Sequence, residues 1–334
     1  MPPPRAFRAM RDSFGRTIDY LRLSVTDRCN LRCRYCLPAD FNAFSPRNRI
    51  LSDDETVRLV EGFAAVGFTT VRVTGGEPLV RPGIEALIGR LAAIDGIDEV
   101  ALSTNGILLA KKAKTLKSAG LSRVNVSLDS LRPERFAAVT RSGKLSDAWA
   151  GIEAALDADL GPVKINVVVA RGLNDDEVEE FAALTVARPL HVRFIELMPM
   201  GETGFFSKER WVPMPEIERR AGPLEPVTGS ARPAGRGPAR VSRRPGARGT
   251  LGFISALSCS FCSDCNRVRL SATGKLVACL DGEDGTDLRA MADAEAGTLE
   301  DAIRAAVGRK PESHRMLERV SQGASPRMMC QIGG

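Results

Sequence analysis

Seven of the eight cysteines fall into two groups. Cys29, Cys33 and Cys36 lie near the front, Cys259, Cys262, Cys265 and Cys279 lie near the back, and Cys330 stands alone close to the end. In a reducing compartment such clusters point to metal rather than to disulfides. Cys29-x-x-x-Cys33-x-x-Cys36 can wrap three corners of a four-iron cluster and leave the fourth iron open to a small chelating ligand. Structural zinc would want a fourth protein ligand there, and only Asp27 and Asp40 are near. The rear group is ambiguous, since four thiolates could close a cluster or form a zinc ribbon, whereas three would leave an iron open.

A second set of residues is cationic. Arg22 lies between Leu21 and Leu23, Arg72 between Val71 and Val73, Lys164 between Val163 and Ile165, and Arg193 between Val192 and Phe194. If helices cover one face of these strands, the four cations point to the other, where an unpaired charge costs several kcal/mol, on the order of 3–5. Either local ion pairs or strand-end positions relieve that cost, or an anionic ligand does; four in register favour the ligand. Other chemistries lose support. There are two histidines, His191 and His314, in unrelated contexts, and neither G-x-x-x-x-G-K-[ST] nor G-x-G-x-x-G occurs.

The elements that must hold these residues alternate. Strands are expected at Tyr20–Val25, Thr69–Thr74, Glu99–Ser103, Arg123–Leu128, Val163–Val169 and His191–Glu196. Ser52 and Glu55 have capping-box spacing for a helix that stops at Gly67. A second helix puts Ile84, Leu87, Ile88 and Leu91 on one face. A third ends before Gly120, and Asn174 with Glu177 starts another. Six strand–helix units in series imply a parallel sheet, and six fall short of the eight that close a barrel. The expected fold is therefore α/β, a partial (β/α)6 TIM-like barrel, with a smaller C-terminal α+β iron–sulfur segment. The divisions are a flexible leader over 1–13, the barrel over 14–213 and the cysteine-bearing segment over 214–334. In that last part a strand is expected around Ala239–Ser242 and a helix at Asp301–Ala306. With 334 residues, 43% hydrophobic and 26% charged, the chain has ample material for a core. The net charge of +6 is uneven, because residues 219–248 hold eight Arg against one acid, Glu225. No apolar run is long enough for a membrane helix, the start lacks a signal-peptide core, and a cytoplasmic protein is expected.

CNLRCRYC, followed by Thr74-Gly75-Gly76-Glu77-Pro78 at the end of the second strand, resembles the radical S-adenosylmethionine superfamily. LRLSVTDRCNLRCRYC, VRVTGGEPLVR, STNG, VNVSLD, VRFIELMP, CSDCNRVRL, Cys279 and the terminal Gly333-Gly334 are similar, more narrowly, to the GTP 3′,8-cyclase family of molybdenum cofactor biosynthesis. The resemblance implies two [4Fe-4S] clusters, one on Cys29, Cys33 and Cys36 and one on Cys262, Cys265 and Cys279, with S-adenosylmethionine on the first. It implies cofactor contacts at Tyr35, Gly76, Ser127 and Met198. GTP contacts are implied at Arg22, Arg72, Ser103, Lys164, Arg193, Arg267, Val268 and Arg269, with Arg22, Arg267 and Arg269 as catalytic positions. The implied reaction begins with reductive cleavage of S-adenosylmethionine. The C3′ hydrogen of GTP is then removed, C3′ bonds to C8, and one further electron and a proton complete 3′,8-cyclo-7,8-dihydro-GTP, with the Gly-Gly tail reaching toward the site.

The implied partners are GTP, a flavodoxin- or ferredoxin-like electron donor, and cyclic pyranopterin monophosphate synthase as acceptor of the product. A homodimer is allowed, and neither membrane nor nucleic acid is expected. Four positions depart from the family: Thr70 stands where a basic residue is frequent, Ser103 replaces a threonine, Cys259 adds a fourth rear thiol, and Cys330 occupies a small polar position. Three rear cysteines are expected to ligate, with Cys259 and Cys330 unliganded. The alternatives are a superfamily enzyme acting on a peptide or RNA, favoured by the basic 219–248 stretch, and a zinc-ribbon nucleic-acid binder.

Overall fold

The computed structural model describes residues 9–201, 203–282, 285–292, 297–320 and 327–333. Its first half is six parallel strands in chain order: β1 (Tyr20–Ser24), β2 (Thr70–Thr74), β3 (Glu99–Thr104), β4 (Arg123–Ser127), β5 (Lys164–Val169) and β6 (His191–Glu196). The crossovers carry helices α1 (Asp53–Ala65), α2 (Ile84–Ala92), α3 (Ala113–Ser118), α4 (Pro133–Thr140), α5 (Leu145–Asp157) and α6 (Val178–Ala187). Each strand falls within a residue or two of its expected bounds.

The last third adds to the same sheet rather than forming another. After α7 (Met214–Arg220) come β7 (Glu225–Pro226), β8 (Arg240–Arg243), β9 (Thr250–Ile254), β10 (Arg267–Leu270), β11 (Lys275–Val277) and β12 (Thr286–Asp287). β9 lies parallel to β6 and β10 parallel to β1, so the parallel array is two strands wider than the six expected. It still does not close. β9 turns to antiparallel β8 and β10 to antiparallel β11, giving the order β12-β11-β10-β1-β2-β3-β4-β5-β6-β9-β8-β7. Helices α8 (Thr298–Gly308), α9 (Met316–Val320) and α10 (Met329–Ile332) follow.

Period-two alternation sorts the strand residues. Leu21, Leu23, Val71, Val73, Leu102, Val124, Ile165, Val192 and Phe194 are buried in the main hydrophobic core under the helices. Each such side chain contributes about 1.5–3 kcal/mol. The positions between them carry Tyr20, Arg22, Arg72, Arg123, Lys164 and Arg193 and face inward. The capping box of α1 forms, with Ser52 Oγ accepting from the Glu55 amide at 3.1 Å and Glu55 Oε2 from the Ser52 amide at 2.7 Å. Asn174 precedes the helical turn Asp175–Glu177 that leads into α6, as expected, but makes no side-chain cap bond. Asn174 Nδ2 donates instead to the carbonyls of Asp129 (2.7 Å) and Val168 (2.9 Å), because joining β4 to β5 satisfies more buried backbone than capping would. Residues 1–8 of the expected leader lie outside the described residues; Met10 and Asp12, at its end, are buried.

Candidate active site

The front cysteines lie on the loop after β1, at the carboxyl ends of the parallel strands. Two glycines after β2 let that loop sit close: a Cβ on Gly76 would lie 2.4 Å from the carbonyl oxygen of Arg28, so only a bare Cα fits. Gly76 donates to the Thr26 carbonyl (2.8 Å) and Glu77 to that of Arg28 (2.8 Å). Glu77 is fully enclosed, accepting from Thr104 Oγ1 (2.7 Å) and from the amides of Asn105 (2.7 Å) and Leu79 (3.0 Å). Burial raises its carboxyl to about 7. GGEP is thus a brace between the cysteine loop and the loop after β3.

Burial raises the thiols of Cys29, to about 11, and of Cys33 and Cys36; Glu77 adds to the rise at Cys29, Cys36 to that at Cys33, and Cys330 and Cys29 to that at Cys36. The Leu37 amide donates to the carbonyl of Cys33 (3.0 Å) and Arg32 Nη1 to that of Cys29 (2.7 Å), fixing the loop's curl. Tyr35 donates to Asp129 Oδ2 at 2.6 Å, Ser127 ends β4, and Met198 follows β6 in a small apolar cluster with Met200 and Trp211. Cys330, on α10, is buried against Cys29, Cys36 and Leu37. The alpha-helical tail therefore lies on the front loop, which its place in the chain did not suggest.

Among the described residues no three His, Cys, Asp or Glu close on a single metal ion. Free thiols at Cys29, Cys33 and Cys36 and at Cys262, Cys265 and Cys279 are a donor set that suits an iron–sulfur cluster at each site.

The rear cysteines are held from three directions. Arg16 Nη1 donates to the Cys262 carbonyl (2.7 Å) while its Nε is held by Asp12 (2.6 Å). Lys310 Nζ donates to the carbonyls of Arg267 (3.0 Å) and Ala278 (2.6 Å), tying β10 to the segment before Cys279. Glu196, at the end of β6, accepts from the amides of Leu257 (2.6 Å) and Ser258 (2.9 Å), just before Cys259. Burial raises Cys265, yet Lys310 and Arg267 outweigh it and lower the thiol. Burial raises Cys279, which also feels Cys265 and Cys262. Cys259 is exposed.

Between the two loops runs the lumen. Arg269, Arg22 and Arg72 are register neighbours across β10, β1 and β2, and Tyr20 lies opposite Arg267. Arg72 donates to the Tyr20 hydroxyl and, at 3.2 Å, to the Leu102 carbonyl. Arg193 Nε donates to Asn166 Oδ1 (2.9 Å). Burial lowers Arg22 strongly, with Arg269 adding to it, lowers Arg193 to about 9, with Arg72 adding, and lowers Arg269 to about 10, with Arg267 adding. Burial raises the Tyr20 phenol, but Arg72, Arg22 and Arg123 outweigh it and bring it to about 8. Gly333 brings its carbonyl into this group, accepting from Arg269 (2.9 Å) and Arg22 (3.3 Å). Gly334, the other half of the Gly-Gly tail, lies outside the described residues.

Ser103 is half-buried on β3, beside Asn125 of β4. The side chain of Val268 pairs with Leu21 on the helix-covered face, so it can meet a lumenal ligand only through its backbone. Four lumenal residues were missed from the sequence: Tyr20, Arg123, Asn166 and His191. The signal was available, since each stands an even number of positions from a residue already assigned to the lumen on its strand or on the neighbouring one. Arg123 pairs with an acid, Glu99 Oε2 lying 3.1 Å from its Nε.

Two family models match, Radical SAM superfamily over residues 23–185 and Molybdenum Cofactor Synthesis C over 190–316. The GTP 3′,8-cyclases of Pelotomaculum thermopropionicum and Heliobacterium modesticaldum are each 50% identical to the chain, covering 97% of it and 100% of their own lengths. Among solved structures, Streptococcus suis SuiB bound to S-adenosylmethionine has the same fold. Its TM-score is 0.60 at 13% identity, over 91% of this chain and 74% of that one. Half-identity over full length, on a radical S-adenosylmethionine fold, makes this chain a member of the GTP 3′,8-cyclase family.

Proposed function

We propose that the chain is a radical S-adenosylmethionine lyase that converts GTP to 3′,8-cyclo-7,8-dihydro-GTP for molybdenum cofactor biosynthesis, with one four-iron cluster on Cys29, Cys33 and Cys36 and a second on Cys262, Cys265 and Cys279. One observation supports the substrate: basic side chains from six strands, Arg22, Arg72, Arg123, Lys164, Arg193 and Arg269, share one polar lumen between the two cysteine loops, with Glu99 beside Arg123. A polyanion suits such a group, and guanidinium groups take phosphate oxygens two at a time. When bound, the front cluster supplies the electron that cleaves S-adenosylmethionine and so the means to remove an unacidic C3′ hydrogen, which no side-chain base achieves at neutral pH.

The chain's own residues position and exclude. The GGEP turn sets the cofactor's place beside Tyr35, Ser127 and Met198. The arginines fix the triphosphate and with it the ribose, a positioning role that accounts for their number. Arg22, Arg267 and Arg269 lie nearest the rear cysteines and the tail, and Gly333 holds two of them in place. Cys262, Cys265 and Cys279 would hold the second cluster with one iron open to the guanine base, and Cys259, exposed, would stay out. The reading carries with it a flavodoxin- or ferredoxin-like donor and cyclic pyranopterin monophosphate synthase as acceptor of the product, and it allows a homodimer.

The zinc-ribbon alternative gains nothing from an exposed Cys259, and part of the basic stretch folds under the barrel, which weakens its case as a free nucleic-acid surface. Anaerobic enzyme given S-adenosylmethionine, a reductant and GTP is expected to yield deoxyadenosine and a cyclised nucleotide of the same mass as GTP, since the hydrogen lost from C3′ is replaced by one electron and one proton. Deoxyadenosine formed equally with or without GTP, and no new nucleotide, would count against the proposal.

A further inference from the structure

Tyr20 opens β1 on the lumenal face and is 4% exposed. Its amide donates at 3.2 Å to the carbonyl of Asn266, the residue after Cys265, and it stands opposite Arg267 in the register of β1 and β10. Guanidinium groups flank its ring: the central carbon of Arg72 lies 5.8 Å from the ring centre and that of Arg267 6.0 Å. The hydroxyl oxygen accepts from Arg72 Nε, but the hydroxyl donates to no group among the described residues. A buried donor left without an acceptor costs about 1–3 kcal/mol. The charged groups around it, Arg22 on its own strand, Arg72 on β2, Arg123 on β4 and Arg267 on β10, are donors themselves and cannot accept. An acceptor for this hydroxyl has to come with a ligand.

The reaction leaves one proton without a source. Once C3′ has bonded to C8 across the C8=N7 double bond, the unpaired electron rests on N7, and one electron with one proton completes N7–H. Few lumenal groups can release that proton. Arginine stays charged at any pH the chain tolerates. Glu99 is taken up by Arg123, and Asp19 by Asn266 and Arg236. Lys164 Nζ is spent on the carbonyl of Ala234, in the segment 232–237 that crosses beneath the lumen, and His191 on Thr250. Burial raises the Tyr20 phenol, yet Arg72, Arg22 and Arg123 outweigh it and bring it to about 8. At pH 7 about nine-tenths of such a phenol keeps its proton, and the neighbouring cations stabilise the anion that donation leaves. We propose that Tyr20 is the acid of the last step and gives its hydroxyl proton to N7 of the cyclised base as the reductant's electron arrives. The O–H bond of Tyr20 breaks, the N7–H bond forms, and the tyrosinate, held by Arg72, regains a proton from water before the next turnover. The inference rests on the GTP reading above, which seats the base by the rear cysteines, the side to which Asn266 and Arg267 tie Tyr20.

The test counts two products of one reaction: deoxyadenosine, which reports hydrogen removed from C3′, and the cyclised dihydro-nucleotide, which also needs the proton. Anaerobically purified holoenzyme is given S-adenosylmethionine, a reductant and GTP, as the natural chain, as Tyr20→Phe, and with 3-fluorotyrosine in place of Tyr20. The natural chain is expected to make the two products in near-equal amounts. Tyr20→Phe should lower the ratio of cyclised nucleotide to deoxyadenosine by about tenfold or more, less than the roughly 10²–10⁴ a positioned acid contributes because water replaces it in part. Fluorotyrosine keeps the hydroxyl and releases its proton more easily, so it should restore the ratio. Phe fills the space of Tyr20, and weaker substrate binding lowers both products alike without moving the ratio. Equal losses of both products in Tyr20→Phe, no loss of either, or a ratio that fluorotyrosine fails to restore overturns the inference while leaving the GTP reading intact. Deoxyadenosine formed by the natural chain equally with and without GTP overturns that reading, and this inference with it.

Discussion

Replacing Lys164 by Met should change how many protons accompany GTP binding. Burial brings the ammonium from its ordinary 10.5 down to about 6, with Arg193, Arg123 and Arg72 adding to the fall and Glu99 opposing it. At pH 7 a group titrating near 6 is about nine-tenths neutral. A triphosphate against it restores the charged form, so binding should draw up to about 0.9 proton from solution at this residue. Isothermal titration at pH 7 in two buffers of different ionisation enthalpy gives the number directly. Protons exchanged by the nucleotide itself cancel in the difference between the natural chain and Lys164→Met. The same shift fixes a pH dependence of folding. Between about pH 6 and 10.5 the unfolded chain holds a proton here that the folded one lacks, so this residue's contribution to stability rises with pH across that window. Lys164→Met should remove that rise, up to about 1.4 kcal/mol per pH unit. Identical proton uptake by the natural chain and the variant would refute the reasoning.

Three further outcomes are expected. Arg72→Ala or Arg193→Ala should weaken GTP binding by about 1.5–3 kcal/mol, the range for a hydrogen bond to a charged group, and leave S-adenosylmethionine affinity nearly unchanged by calorimetry. Gly76→Ala should push the cysteine loop off its place, since the new carbon would lie 2.4 Å from the Arg28 carbonyl; a stability loss of about 1–3 kcal/mol by denaturant melting and loss of S-adenosylmethionine binding should appear together. Iron analysis of Cys259→Ser should match the natural chain, whereas Cys262→Ser should lose about half its iron, as two equal clusters require.

The barrel could be read from the sequence because its strands alternate so regularly that Arg22, Arg72, Lys164 and Arg193 stand out against apolar neighbours. The same rule, carried two residues along, reaches Tyr20 from Arg22 and His191 from Arg193, so those lumenal residues were legible as well. What was not legible is long-range. That β9 and β10 flank β6 and β1 follows from pairings across 59 and 247 positions, such as His191 with Thr250 and Tyr20 with Arg267, which no local pattern records. The burial of Cys330 on the front loop and the path of residues 232–237 beneath the lumen have the same origin. Both stretches look like solvated chain by composition, and their partners are fixed only once the sheet has formed. Asn174 opens its helical turn as its spacing predicts, while its side chain joins two strands, a use that no local pattern distinguishes from capping.

The central claim is that hydrogen leaves C3′ of GTP in this lumen. GTP carrying deuterium at C3′, incubated anaerobically with the enzyme, S-adenosylmethionine and a reductant, tests it most directly through the mass of the deoxyadenosine formed. Deoxyadenosine one mass unit heavier, in step with loss of deuterium from the nucleotide, is the expected result. Unlabelled deoxyadenosine beside fully deuterated nucleotide would contradict it.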